Sequence, residues 1–182
     1  MNLIKTKLDG LVVLKPTVFK DNRGYFMESY NEKKINKLLG NVNFVQDNES
    51  ESSRGVLRGL HFQKPPYTQS KLVRCLKGSV LDVVLDIRKD SKTYGIFETI
   101  SLTEENKKQL FIPKGFAHGF IVLSKSAIFS YKVDNYYNQD SESGVLWCDL
   151  DLNIDWKINK NEIIVSEKDN NLPTFNEIIN PF

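Results

Sequence analysis

The chain has 182 residues, 40% of them hydrophobic and 26% charged, with a formal net charge of +2 from 25 basic and 23 acidic side chains. That is the balance of a globular protein long enough to bury a core without disulfide staples, and with no polybasic block it gives no case for nucleic-acid or membrane binding. No apolar run approaches the roughly 20 residues that span a bilayer, and Met1-Asn2-Leu3-Ile4-Lys5 lacks an apolar signal core, so a cytoplasmic protein is expected.

Taken in order, Leu11 to Phe19 is rich in β-formers, Asp21-Asn22-Arg23-Gly24 reads as a turn, and Gly24 to Tyr30 alternates again, which predicts a hairpin. Asn31 is placed to cap a helix running through Leu39 and ending at Gly40, with Ile35, Leu38 and Leu39 on one side. Short strands are predicted at Val42–Val45, Gly55–Phe62, Lys71–Leu76, Val80–Ile87, Phe97–Leu102, Gln109–Ile112, Gly119–Leu123, Ala127–Val133 and Val145–Cys148. Leu172 to Phe182 reads as a polar, proline-bounded tail. Many short strands with Gly and Pro punctuation and no internal repeat or linker predict one all-β domain over residues 1–182, a jelly roll or barrel. Cys75 and Cys148 sit in apolar strand-like settings and are expected as buried free thiols.

The chemistry concentrates in a few scarce residues. The only histidines are His61, in Arg58-Gly59-Leu60-His61-Phe62-Gln63, and His118, in Gly115-Phe116-Ala117-His118-Gly119-Phe120. Imidazole is the side chain that titrates nearest neutrality, so both are candidates for proton transfer as well as for hydrogen-bonded core positions. Only five arginines occur, Arg23, Arg54, Arg58, Arg74 and Arg88, and a chain that otherwise uses lysine has reason to keep the planar guanidinium fork for an anion, although ordinary ion pairs account for part of the set. Period-two alternation puts Lys71 on a face with Val73 and Cys75, Tyr131 with Phe129 and Val133, and Asp82 with Val84 and Asp86. A Lys, a Tyr and an Asp on core-like faces are costly unless they line a polar cavity.

Two histidines without His-X-His spacing do not make a cupin-type metal site, and the chain has no Gly-X-Gly-X-X-Gly after a strand, no Walker loop and no Gly-X-Ser-X-Gly elbow. Acid/base chemistry by side chains alone, with no metal and no cofactor, is the remaining expectation. Imidazole, ammonium and phenol in one pocket suit removal of a proton next to a carbonyl, stabilisation of the enolate oxygen and return of a proton from the other face.

Arg58 to Gln63, Lys71-Leu72-Val73-Arg74, Asp82 to Arg88, Gly115 to Phe120 and Ser166-Glu167-Lys168-Asp169 together resemble the dTDP-4-dehydrorhamnose 3,5-epimerases of the cupin superfamily, in order and with that family's spacing. The resemblance implies a cupin-type jelly-roll β-barrel with short peripheral helices. It also implies a homodimer that inverts C3 and C5 of a dTDP-linked 4-keto-6-deoxy sugar on the route to dTDP-L-rhamnose. Carried over by position, His61 is the base, Asp169 its partner, Lys71 the enolate stabiliser and Tyr131 the opposing acid. Arg58, Asp82, His118 and Tyr136 fall in the substrate-binding set, and Arg23, Phe26, Glu28, Gln46 and Asn48 match residues lent by the partner subunit. The chain departs from the family at Asn138-Gln139-Asp140, where a Pro-Glu pair is usual, and at Asp149-Leu150 in place of Asp-Pro. Two other readings stand beside this one: a relative that inverts one centre or isomerises the ketone of another nucleotide-linked sugar, and a non-catalytic sugar-binding jelly roll.

Overall fold

The computed structural model describes residues 1–182. Its strands are β1 (Asn2–Lys5), β2 (Val12–Lys15), β3 (Val18–Asp21), β4 (Gly24–Met27), β5 (Gln46–Ser53), β6 (Leu57–Gln63), β7 (Lys71–Lys77), β8 (Ser79–Asp86), β9 (Phe97–Thr103), β10 (Gln109–Ile112), β11 (Phe116–Val122), β12 (Ser126–Val133) and β13 (Glu142–Gly144). Two short helices accompany them, α1 (Glu32–Leu39) and α2 (Glu167–Asn170). A six-stranded sheet runs β1-β2-β10-β7-β12-β5, a five-stranded sheet runs β13-β6-β11-β8-β9, and β3 pairs with β4 alone. The strand pairs are antiparallel, and the two large sheets form a jelly roll whose edges stay open.

Three apolar clusters follow from the alternation. Val73, Cys75, Leu110 and Phe129 of one sheet meet Val80, Val84, Phe116 and Phe120 of the other and fill the space between them. On the outer face of the five-stranded sheet, Leu81, Val83, Leu85 and Ile87 pack beneath Trp147, Trp156, Phe175 and Phe182. On the outer face of the six-stranded sheet, Leu14, Leu72 and Phe111 are covered by Ile35 of α1. Both faces of β8 are therefore dry, and all its residues beyond Ser79 are buried. The helix begins where expected: the Asn31 side chain accepts the Lys34 N–H at 3.1 Å, and the Gly40 N–H donates to the Asn36 carbonyl.

Several elements differ from the sequence reading. Leu11–Phe19 is two strands, split at Pro16, which has no N–H for a ladder. The expected strand at 42–45 is irregular, and the strand there is the polar run Gln46-Asp47-Asn48-Glu49-Ser50-Glu51-Ser52-Ser53, an edge strand that needs no apolar face. The expected strand at 145–148 ends earlier, as β13, although Val145 still exchanges both backbone hydrogen bonds with Leu60. Strand β1 was not anticipated. The terminal segment is docked, with the Asn180 amide donating to the Ile87 carbonyl at 2.6 Å and Phe182 edge-on to Phe62. Both cysteines are free; Cys75 is buried, which pushes its thiol up to about 11, while Cys148 is only half-buried.

Candidate active site

A cavity of about 600 Å³ opens between the sheets, lined from β5, β6, β7, β11, β12 and β13 and from residues 164–169. Its most reactive wall is built by strand register. In the β6–β11 pair His61 stands directly opposite His118, so the two histidines, remote in sequence, become neighbours. The strands come unusually close there because Gly59 and Gly119 face each other: a Cβ on Gly59, at φ +123°, would sit 2.5 Å from the Gly119 Cα.

Each histidine is paired with a carboxylate. His61 Nε2 lies 2.7 Å from Asp169 Oδ1, while the Gly59 N–H donates to Asp169 Oδ2 at 3.1 Å. His61 is 26% exposed and Asp169 only 6%. With Nε2 occupied, Nδ1 is the ring nitrogen left to act in the cavity. Burial alone would raise the Asp169 carboxyl, but the hydrogen bond and charge of His61 and the Gly59 N–H outweigh it and hold the group below the usual carboxylate range. His118 Nε2 lies 2.9 and 3.0 Å from the two oxygens of Asp82, and both residues are buried. Burial pushes the His118 imidazole down against the pull of Asp82, with Lys71 and His61 adding to the depression.

The facing wall belongs to the six-stranded sheet and carries Lys71 and Tyr131. Tyr131 lies opposite Asn48 on β5 and opposite Val73 on β7, and its ring packs beside Phe129, which stacks on Phe120 at 4.1 Å between centroids. Burial raises the Tyr131 phenol, so it holds its proton. Burial brings the Lys71 ammonium down to about 8, opposed by the negative charges of Asp82 and Glu142. Arg58 also lines the cavity; its Nε donates to Ser52 Oγ at 3.2 Å, and the outer end of its fork has no protein partner. Arg23, Arg54 and Arg88, in contrast, are engaged in ion pairs with Asp21, Glu162 and Asp86. No three His, Cys, Asp or Glu side chains converge on a point where they could hold a metal ion.

The family model for dTDP-4-dehydrorhamnose 3,5-epimerase matches residues 5–177. The chain belongs to the dTDP-4-dehydrorhamnose 3,5-epimerase family. It is 51% identical over 172 residues to the enzyme of that name from Shigella flexneri, covering 94% of each chain. Among solved structures it is similar to the epimerase from Elizabethkingia anophelis NUHP1, at 54% identity and a TM-score of 0.94, covering 99% of this chain and 98% of the other. It is also similar to the Legionella pneumophila Philadelphia 1 epimerase in complex with dTDP-4-keto-L-rhamnose, at 46% identity and a TM-score of 0.93, covering 97% and 94%.

Measured against the residues that the family resemblance singles out, His61, Asp169, Lys71, Tyr131, Asn48, Arg58 and His118 all line the one cavity. Three assignments, Asp82, Asn48 and Tyr136, need correction. Asp82 is fully buried behind His118 and does not line the cavity, because both of its oxygens are taken by the imidazole. Asn48 belongs to the chain's own cavity rather than to a partner's, since β5 turns its even-numbered side chains inward, and Gln46 supports it by donating to Asn48 Oδ1 at 2.9 Å. Tyr136 is 64% exposed and does not line the cavity. Arg23, Phe26 and Glu28, which the resemblance gives to the partner's cavity, sit in or just after the β3–β4 hairpin and do not line the cavity of their own chain. Several lining residues were missed, among them the charged Glu142, which accepts from Tyr137 Oη at 2.8 Å and pairs with Lys168 at 2.6 Å. It lies just past the stretch where the sequence leaves the family pattern, so no motif marked it.

Proposed function

We propose that the chain converts dTDP-4-dehydro-6-deoxy-D-glucose to dTDP-4-dehydro-L-rhamnose by inverting C3 and C5, using side chains alone. The observation that carries this reading is the opposition of a His61–Asp169 pair on one sheet to Tyr131 on the other, across a single cavity. Both carbons flank the C4 ketone, so each C–H is acidified by the same carbonyl. His61 Nδ1 takes the proton from carbon, the C–H electron pair moves into an enolate, and the negative charge gathers on the C4 oxygen. The Lys71 ammonium stabilises that oxygen, and Asp169 stabilises the imidazolium. Tyr131 then gives its proton to the opposite face of the carbon, which inverts it. The imidazolium returns its proton to water and the phenolate regains one, so no oxidant, reductant or cofactor is consumed.

Arg58, with its open fork, suits the diphosphate, and His118 and Asn48 suit sugar hydroxyls. Under this proposal the active form is a homodimer acting on a soluble nucleotide sugar in the cytoplasm, with residues 1–182 working as one domain. Its support is the isolated β3–β4 hairpin, which exposes Phe19, Tyr25 and Phe26, the last at 70%.

The test is solvent exchange followed by NMR in deuterated water. Deuterium should enter C3 and C5 with the wild type, and His61→Ala should lower the rate by about 10²–10⁴-fold. Tyr131→Phe should keep measurable exchange while losing net inversion, because it spares the base. Wild-type exchange in His61→Ala would remove it as the base, and incorporation at one carbon only would assign a single-centre epimerase instead.

A further inference from the structure

The His61–Asp169 pair joins two pieces of chain, β6 and α2, and α2 is a single turn of four residues that cannot hold its own position. Its start is tied by Ser166, whose Oγ accepts the Asp169 N–H at 3.1 Å. Its end is tied by the buried indole of Trp147, whose Nε1–H donates to Asn170 Oδ1 at 3.0 Å. Trp147 is anchored in turn, because its carbonyl accepts the Trp156 indole N–H at 2.9 Å.

The segment that carries Trp147 bonds in two directions. On one side Val145 exchanges backbone hydrogen bonds of 2.9 and 3.2 Å with Leu60, the residue before His61. On the other side the Leu146 N–H donates to the Pro173 carbonyl at 2.8 Å, and Asp149 Oδ2 accepts the Phe175 N–H at 2.6 Å. Residues 145–149 thus act as a splint, with the base's strand along one edge and the segment after α2 along the other.

We propose that Trp147 is a positioning residue for the reaction: through Asn170 its indole N–H fixes α2 so that Asp169 meets His61 at hydrogen-bonding distance. The inference rests on His61 being the base. Packing and positioning separate chemically, since the ring fills the core beneath the C-terminal segment while the single N–H reaches α2. A displacement of an ångström in a catalytic pair costs about 10²-fold in rate.

Trp147→Phe keeps most of the ring and removes the donor. Asn170→Leu removes the acceptor at an exposed position, so it keeps the test open should the core variant fold poorly. Each should lower kcat by about 10–100-fold, leave KM within about twofold, and show no further loss when the two are combined. Asn170→Asp, which keeps an acceptor, should restore most of the activity. Wild-type kcat in Asn170→Leu, or losses that multiply in the double variant, would overturn the proposal. A His61→Ala control that still exchanged substrate deuterium would instead overturn the reading of His61 beneath it, so the two failures are told apart.

Discussion

His61 and His118 face each other across β6 and β11, yet their surroundings divide the labour. His61 keeps one nitrogen toward the cavity and is partly exposed, whereas His118 is buried and its imidazole is held toward the neutral form, suited to hydrogen bonding rather than to carrying charge. Lys71 has the opposite problem, because its task needs the ammonium and burial brings it down to about 8 from the ordinary 10.5. The protonated, active form therefore prevails below about pH 8, and kcat/KM should fall as pH rises through that value. Stability moves the other way. Between about 8 and 10.5 the unfolded chain binds more protons at this site than the folded one, so Lys71 destabilises the fold in full below about pH 8 and less as pH climbs. Lys71→Met should consequently melt higher than the wild type at pH 7 while losing about 10²-fold or more in kcat. A lower melting point for this variant would contradict the idea that burial of the cation is costly. These residues were legible because strand alternation puts Lys71 and Tyr131 on inward faces. The partnership of Asp82 with His118 was not, since it depends on how β8 pairs with β11, and a single sequence does not state strand neighbours.

At the scale of elements, the close approach of paired strands β6 and β11 fixes the proposed base, His61. Gly59 serves it twice, by supplying an N–H to Asp169 and by having no Cβ where one would lie 2.8 Å from the His118 carbonyl oxygen. Gly59→Ala combines a left-handed φ with a backbone collision and should cost about 2–4 kcal/mol, read from the urea midpoint, with activity lost as well. Gly24 offers the control: its φ is +130° but nothing lies within 4 Å of the added carbon, so Gly24→Ala should cost only about 1–2 kcal/mol of backbone strain. Equal losses in the two variants would show that strain, not the close strand approach, dominates. The same scale explains which strands could be read ahead of the structure. Central strands such as β7, β8 and β12 carry apolar residues on their inward faces, and the alternation announces them. Strand β5 carries Gln, Asn and Ser inward because it lines a polar cavity, so function erased the hydrophobic signal that would have marked it. The terminal segment hid for another reason: its few anchors, Phe175, Ile178 and Phe182, are scattered among polar residues and have no period.

For the whole molecule, the question is what the β3–β4 hairpin is for. It makes no ladder with either large sheet, and although Tyr25 is held by Lys107, Phe19 and Phe26 are spent on solvent, an arrangement that gains little for an isolated chain. Arg23, Phe26 and Glu28 stand on or beside it, while the cavity is lined by edge strand β5 and by the exposed Arg58. Under the proposed homodimer each hairpin completes the partner's cavity, and two-fold symmetry makes both sites equivalent. Complementation tests this directly. Phe26→Ala and His61→Ala homodimers should each be nearly inactive. In a mixed dimer, the subunit that keeps His61 receives an intact hairpin from the other, so one of its two sites is whole. Random pairing at equal amounts makes half of the dimers mixed, so about one quarter of the wild-type activity should return on co-expression. Were the hairpin to serve its own chain instead, each mixed dimer would join two defective sites and no activity would return, so silence in the mixture, with mixed dimers confirmed by differential tagging, would detach the hairpin from the partner's cavity.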